Sequence, residues 1–182
     1  MLLNQCFDFS EYQNLDIAIV SDTHGEIVPD VLNLVKECDI AIHAGDIGNM
    51  SVLEALQPKK EHVLAVAGNN DKPYLWEVLH WSIVKNLPES MDIKFFGGEL
   101  SVEHGHFHDL NKPSHDSLRE AHQSSRVIIY GHTHHQIIDD SEPGRWVINP
   151  GAAGTTRTHG GSSCIKLSIN KNDWQSKTYR FA

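Results

Sequence analysis

The run LDIAIV, from Leu15 to Val20, is apolar and β-prone and stops at Ser21-Asp22, which predicts a buried strand. Val31, Leu34, Val35 and Cys38 follow at helical spacing behind Pro29-Asp30, a helix start. DIAIH (Asp39 to His43), a short helix around Ser51 to Gln57, and EHVLAVA (Glu61 to Ala67) continue the alternation. A β-α-β-α-β rhythm implies parallel strands joined by crossover helices.

The second half changes period. Asp92–Phe96 and Glu99–His104 flank Gly97-Gly98 as a predicted hairpin. A helix is expected within Leu110–Ser125, begun near Pro113-Ser114, and RVIIYG (Arg126 to Gly131) reads as another buried strand. Gln136–Asp139, Arg145–Ile148, Cys164–Ile169 and Gln175–Phe181 are β-rich. Parallel units first and antiparallel ones later predict an α/β fold, with two sheets packed face to face and helices outside. Tyr74, Trp76, Val78, Leu79 and Trp81 read as an amphipathic segment packed into the core. Trp76 and Trp81 cannot share one helical face, so one of them is left for an oligomer contact. No repeat, low-complexity tract or linker interrupts the chain, and its 182 residues suit one domain spanning 1–182.

Composition narrows the class. Asn4, Gln5, Asp8, Ser10 and Glu11 break up the start, so neither a secretory segment nor a membrane span is read there, and a cytoplasmic location is expected. Cys6, Cys38 and Cys164 are odd in number and far apart, and read as small apolar residues rather than disulfide or thiolate-metal partners. A formal charge of −9 argues against a nonspecific nucleic-acid coat. The thirteen histidines are the unusual component, because neutral imidazole is the commonest protein metal ligand.

The candidate chemistry lies where predicted strands end. The phrases are Asp22-Thr23-His24, Gly45-Asp46, Gly68-Asn69-Asn70-Asp71, His104-Gly105-His106 and Gly131-His132-Thr133-His134. Carboxyl ends of strands are where α/β sites assemble. Extended geometry would put Asp22 and His24 on one side. Asp46 offers two carboxylate oxygens to bridge cations, and Asn69 a neutral hard ligand. Each phrase alone also has a plain reading: a capped turn at Asp22 or Thr23, a helix N-cap at Asp46, an Asn/Gly turn at Gly68. His43, inside an apolar run, reads as a buried histidine hydrogen-bonded behind the site.

In this order the phrases resemble the calcineurin-like metallophosphoesterase superfamily. With the small size and Asn149-Pro150-Gly151 they are similar to its compact phosphodiesterase branch, typified by YfcE and MJ0936, to which the scaffold Vps29 also belongs. The resemblance spans roughly Ile17 to Gly151. It implies a two-sheet β-sandwich flanked by helices. It also implies two divalent ions, one held by Asp22, His24, Asp46 and His134, the other by Asp46, Asn69, His104 and His132. Mn²⁺ is the first expectation, and Fe, Zn, Ni or Co would also fit. Two such ions about 3.5–4 Å apart share a hydroxide that attacks phosphorus in line. The groups nearest the ions then carry about +1, enough to draw a phosphate anion to an acidic chain.

Asn70 departs from many family members, which carry there a histidine that protonates the leaving group. That assistance is worth about 10²–10⁴ in rate. His106 is the nearest substitute, and Asp71 is expected to orient a ligand through a hydrogen bond. Ala152 and Gln136 are smaller departures. The implied function is hydrolysis of a small or nucleotide-like phosphodiester. The alternatives are a phosphomonoesterase or dinucleoside polyphosphate hydrolase, and a non-catalytic Vps29-like scaffold. A monoester would want cations, for which Lys72, Lys112, Arg145 and Arg157 are candidates, each with a competing role as solvated surface charge.

Overall fold

A computed structural model describes residues 6–109, 111–170 and 173–182. The early β-α-β-α-β reading holds. Strand β2 (Leu15–Val20) leads to helix α1 (Pro29–Glu37), then β3 (Ile40–His43), α2 (Met50–Ala55) and β4 (His62–Ala65). Strands β2, β3 and β4 are parallel neighbours. Strand β2 is almost continuously apolar because both of its faces are covered. Ile17 and Ile19 face the second sheet, while Ala18 and Val20 face Val31, Leu34 and Val35 of α1.

Strand β1 (Cys6–Phe9) was not expected, since the polar residues around it hide a four-residue edge strand. It pairs in parallel with β5 (Ser90–Phe95), which forms the predicted hairpin with β6 (Gly98–Glu103). Phe95 pairs with Gly98, so Phe96-Gly97 is the turn and Gly98 belongs to the strand. Tyr74, Val78 and Leu79 are not core. The segment forms two 3₁₀ turns, Pro73–Leu75 and Val78–His80, before helix α3 (Trp81–Asn86), and those three side chains are exposed.

Helix α4 (His115–Ala121) begins just after Ser114, while the expectation for Leu110 falls outside the described residues. Strands β7 (Val127–Ile129), β8 (Ile137–Asp139), β9 (Trp146–Asn149), β10 (Ser162–Ile169) and β11 (Trp174–Phe181) complete the order. One sheet runs β1-β5-β6-β7-β9-β8 and the other β11-β10-β2-β3-β4. The expected antiparallel second half is corrected in part: β6 and β7 pair in parallel, because α4 carries the chain back over the sheet as a crossover, and β9 lies parallel to β7, with β8 antiparallel on its other side.

The main core lies between the sheets, where Ile17, Ile40 and Ile42 meet Ile93, Leu100 and Ile129. Helices α1 and α4 cover the outer faces, giving helix–sheet–sheet–helix layers. Cys38 and Cys164 are buried free thiols whose burial pushes them up to about 12, so both behave as small apolar residues. The same reading for Cys6 falls outside the described side chains. No helix among the described residues is long and apolar enough to cross a membrane.

Candidate metal centre

The loops after β2, β3, β4, β6 and β7 meet at one edge of the sandwich. Backbone bonds stitch them together: Asp22 N donates to Gly45 O (3.0 Å), His24 N to Asp46 O (2.9 Å), and Gly131 N to His104 O (3.2 Å). The extended i, i+2 geometry expected for Asp22 and His24 is not what aims them. Both sit in the left-handed region, with φ of 53° and 48°. Asp46, His132 and His134 do the same, at 55°, 67° and 59°. Five of the eight described non-glycine residues with positive φ are therefore candidate ligands. Such conformations cost of order 1–3 kcal/mol each and persist where the surroundings over-determine them. This cluster is itself a sign of a functional site.

The side chains of these loops lie close to one another. His24 Nε2 lies 3.1 Å from His134 Nε2, and His134 Nε2 lies 3.4 Å from Asp22 Oδ1. Across the centre, His104 Nε2 is 3.4 Å from Asp46 Oδ1 and 4.0 Å from Asp22 Oδ1. The other oxygen of Asp46, Oδ2, is 3.7 Å from His24 Nε2. Asn69 Oδ1 lies 3.0 Å from His132 Nδ1. Two groupings are compact enough for a cation: Asp22 with His24 and His134, and Asp22 with Asp46 and His104.

Two glycines make room. A Cβ on Gly68 would lie 2.2 Å from both the amide nitrogen and Oδ1 of Asp46. On Gly131 it would lie 2.0 Å from Ser21 Oγ. Behind the cluster, His43 is fully buried and bonds to Thr23 Oγ1 (2.8 Å), as expected for a supporting histidine. Asp71 acts differently from the expectation. Its carboxylate accepts from the backbone N–H groups of Ile47, Gly48 and Gly68, so it pins two loops rather than a ligand side chain. The N-cap reading of Asp46 also fails, because Asn49 caps α2 through Val52 N.

The donor set fits divalent ions. His104 Nδ1 lies 2.7 Å from Ala44 O and donates to it, which turns Nε2 toward the carboxylates of Asp46 and Asp22. That buried nitrogen has no hydrogen-bond partner among the described residues. A cation between them satisfies the imidazole and both Asp side chains at once. Without one, burial pushes Asp22 up to about 7. Although burial opposes it, the adjoining Asp46 and Asp22 carboxylates carry His104 up to about 9. Asp46 is held well below the usual carboxylate range despite its burial, by His104 and by Asn70.

Metal uptake must therefore displace protons. At pH 7 calorimetry in buffers of different ionisation enthalpy should register between about one and two protons released per chain. Both groups bind metal only when deprotonated, so apparent affinity should climb between pH 6 and 9 and level off above. Release of no protons at pH 7 would contradict this description.

The model of the calcineurin-like phosphoesterase superfamily domain matches residues 15–172. The chain belongs to this superfamily. The phosphoesterase is 29% identical to the phosphodiesterase MJ0936 of Methanocaldococcus jannaschii over 153 residues, 75% of this chain and 83% of the relative. It is 30% identical to the probable metallophosphoesterase MJ0623 of the same organism over 162 residues, 84% of this chain and 75% of the relative. Its fold resembles that of YfcE, a phosphoesterase from E. coli, with a TM-score of 0.60 at 21% identity, covering 92% of this chain and 100% of that one. A Vps29 variant from Entamoeba histolytica gives a TM-score of 0.70 at 18% identity, covering 92% and 100%.

The structure adds one residue to the site that spacing alone did not assign, Asn70, and brings in one of the four candidate cations, Arg157. Asn70, noted only for what it lacks, donates its backbone N–H (2.8 Å) to Oδ1 of Asp46 and its side-chain amide (2.7 Å) to Oδ2. Arg157 reaches in from the loop after Asn149-Pro150-Gly151, with Nη2 at 3.0 Å from His134 Nε2 and 3.3 Å from His24 Nε2. Of the four candidate cations, Arg157 is the one placed within hydrogen-bond range of His24 and His134. Arg145 bonds instead to Glu142 and to the carbonyl of Arg119. His106 stands beside the cluster, its ring 5.5 Å from that of His104 and 6.3 Å from that of His132. Burial and the neighbouring charges of His104 and His132 pull it down to about 4. Both effects favour the neutral form of the ring.

Proposed function

We propose that this metal-dependent phosphoesterase is a two-metal phosphodiesterase acting on a small or nucleotide-like diester. The observation that supports it most is Asp46, whose two oxygens face different histidines, His104 and His24. Asp22, His24, Asp46 and His134 would hold one ion, and Asp46, Asn69, His104 and His132 the other. Bound there, divalent ions activate a shared water and neutralise phosphoryl oxygens. Mn²⁺ suits the mixed nitrogen and oxygen donors, as do Fe, Zn, Ni and Co. The work of the chain is positional. Asn70 keeps Asp46 ionised, Asp71 fixes the spacing of the loops, and Ala44 O sets the tautomer of His104.

Leaving-group protonation is the weak point. Asn70 cannot supply a proton as an acid, and the surroundings of His106 favour its neutral form. Purified protein with Mn²⁺ should hydrolyse bis(p-nitrophenyl) phosphate, and chelation should abolish turnover. Across diesters of rising leaving-group pKa the rate should fall steeply, by up to about 10²–10⁴ for an alkoxide that needs its proton supplied. A flat dependence would reveal an acid, and no turnover with any of the five metals would remove the reading.

Arg157 favours a second reading, a phosphomonoesterase or polyphosphate hydrolase. A guanidinium at hydrogen-bond range of two candidate ligands can take an extra phosphoryl oxygen. Diester and monoester rates measured side by side separate the two. The fold likeness to Vps29 leaves a scaffold role as the remaining alternative, but all seven candidate ligands are present in the sequence.

A further inference from the structure

Among the described residues seven large hydrophobic side chains are exposed, and six of them fall between residues 74 and 83. Tyr74 is 75% exposed, Leu75 56%, Val78 74%, Leu79 81%, Trp81 36% and Ile83 37%. An apolar stripe of this density on an acidic, well-packed chain is too concentrated to be the ordinary scatter of surface hydrophobics. We propose that it is the contact through which a second copy of this chain binds, forming a two-fold dimer beside the metal centre. This inference does not depend on the phosphodiesterase reading.

Area supports a second copy. At those exposures the six side chains leave roughly 750 Å² bare, close to the ~800 Å² that each partner gives a standard stable interface. Shape supports it too. A mainly apolar groove of about 590 Å³ shares Ile83 with the stripe and is lined also by Leu53, Val63, Leu87 and Met91, with Glu54 and Asn86 among its polar residues. Ile83 therefore belongs to both surfaces. A patch carrying a projecting apolar turn and an apolar groove side by side is self-complementary, as a two-fold contact requires. Val78 and Leu79 of each copy would enter the groove of the other.

Two tryptophans tie the stripe to the body of the chain, and a pre-ordered surface loses less entropy on docking. Trp76 anchors it, 4% exposed and packed with Ile47, Val52 and Val84. Trp81 Nε1 donates to Trp76 O at 3.1 Å, and Lys85 Nζ lies 5.5 Å above the Trp81 ring. A lipid surface is the less suited occupant. The stripe contains Glu77 and no basic cluster, and the chain carries a formal charge of −9, where anionic headgroups call for grouped Lys and Arg.

Sedimentation equilibrium of the full chain at about 50 μM tests the proposal. The expected mass is twice the 20.4 kDa of one chain. Val78→Asp with Leu79→Asp should weaken association at least about 100-fold, giving monomers whose far-UV circular dichroism is unchanged. Ile83→Asp is the second variant and should also dissociate the dimer. Wild-type protein that is monomeric overturns the proposal, as does a dimer that tolerates both sets of changes. Monomers that float with phosphatidylcholine vesicles through the same residues would replace it with a lipid contact.

Discussion

Asp46→Ala is expected to lower kcat/KM for a phosphodiester by about 10³-fold or more, since stabilisation by bound metal supplies several kcal/mol and each 1.36 kcal/mol is a decade. The size follows from position. Asp46 offers Oδ1 toward His104 and Oδ2 toward His24, so its loss weakens both candidate cation positions together. It also frees both Asn70 donors, which hold the third loop against the second. The variant should bind less than half the wild-type metal while keeping its circular dichroism. Steady-state kinetics at saturating Mn²⁺ provides the check, and a loss under tenfold would deny Asp46 its bridging role.

Gly68→Ala should be nearly as damaging although it removes no functional group. The added Cβ would sit 2.2 Å from the backbone nitrogen of Asp46 and 2.2 Å from its Oδ1. Backbone on one side and a pinned carboxylate on the other leave nothing free to yield. Asp71 ties Gly68 N to the same loop, so the strain spreads into the Asp46 turn. Overpacking of this kind costs about 1–3 kcal/mol or more, which for a chain of this length lowers Tm by roughly 3–10 °C. Thermal unfolding with and without Mn²⁺ should show both the lower Tm and a reduced gain on adding metal. An unaltered Tm and unaltered metal gain would mean that the loops are not packed as described.

Much of this was legible in the chain itself. LDIAIV and DIAIH announced buried strands because covered parallel strands leave no polar alternation, and the five phrases named the loops that meet. What stayed hidden depends on distance or on backbone. Cys6–Phe9 looks irregular because an edge strand of four residues needs few apolar positions. Left-handed φ at Asp22 and His24 cannot be inferred from an Asp-x-His spacing that an extended strand satisfies equally well. Asp71 looked like a ligand's partner, whereas its bonds go to three backbone N–H groups that sequence does not distinguish. The segment around Trp76 misled in the other direction. Its apolar residues resemble a core stripe, yet only Trp76 and Val84 are buried there. Apolar content reports that a surface seeks cover, not that the cover comes from the same chain.

The most direct test of the two-metal site is anomalous diffraction from crystals grown with Mn²⁺. Two peaks about 3.5–4 Å apart are expected, with Asp46 between them, one beside His24 and His134 and the other beside His104 and His132. A single ion, or ions bound away from these side chains, would contradict the account.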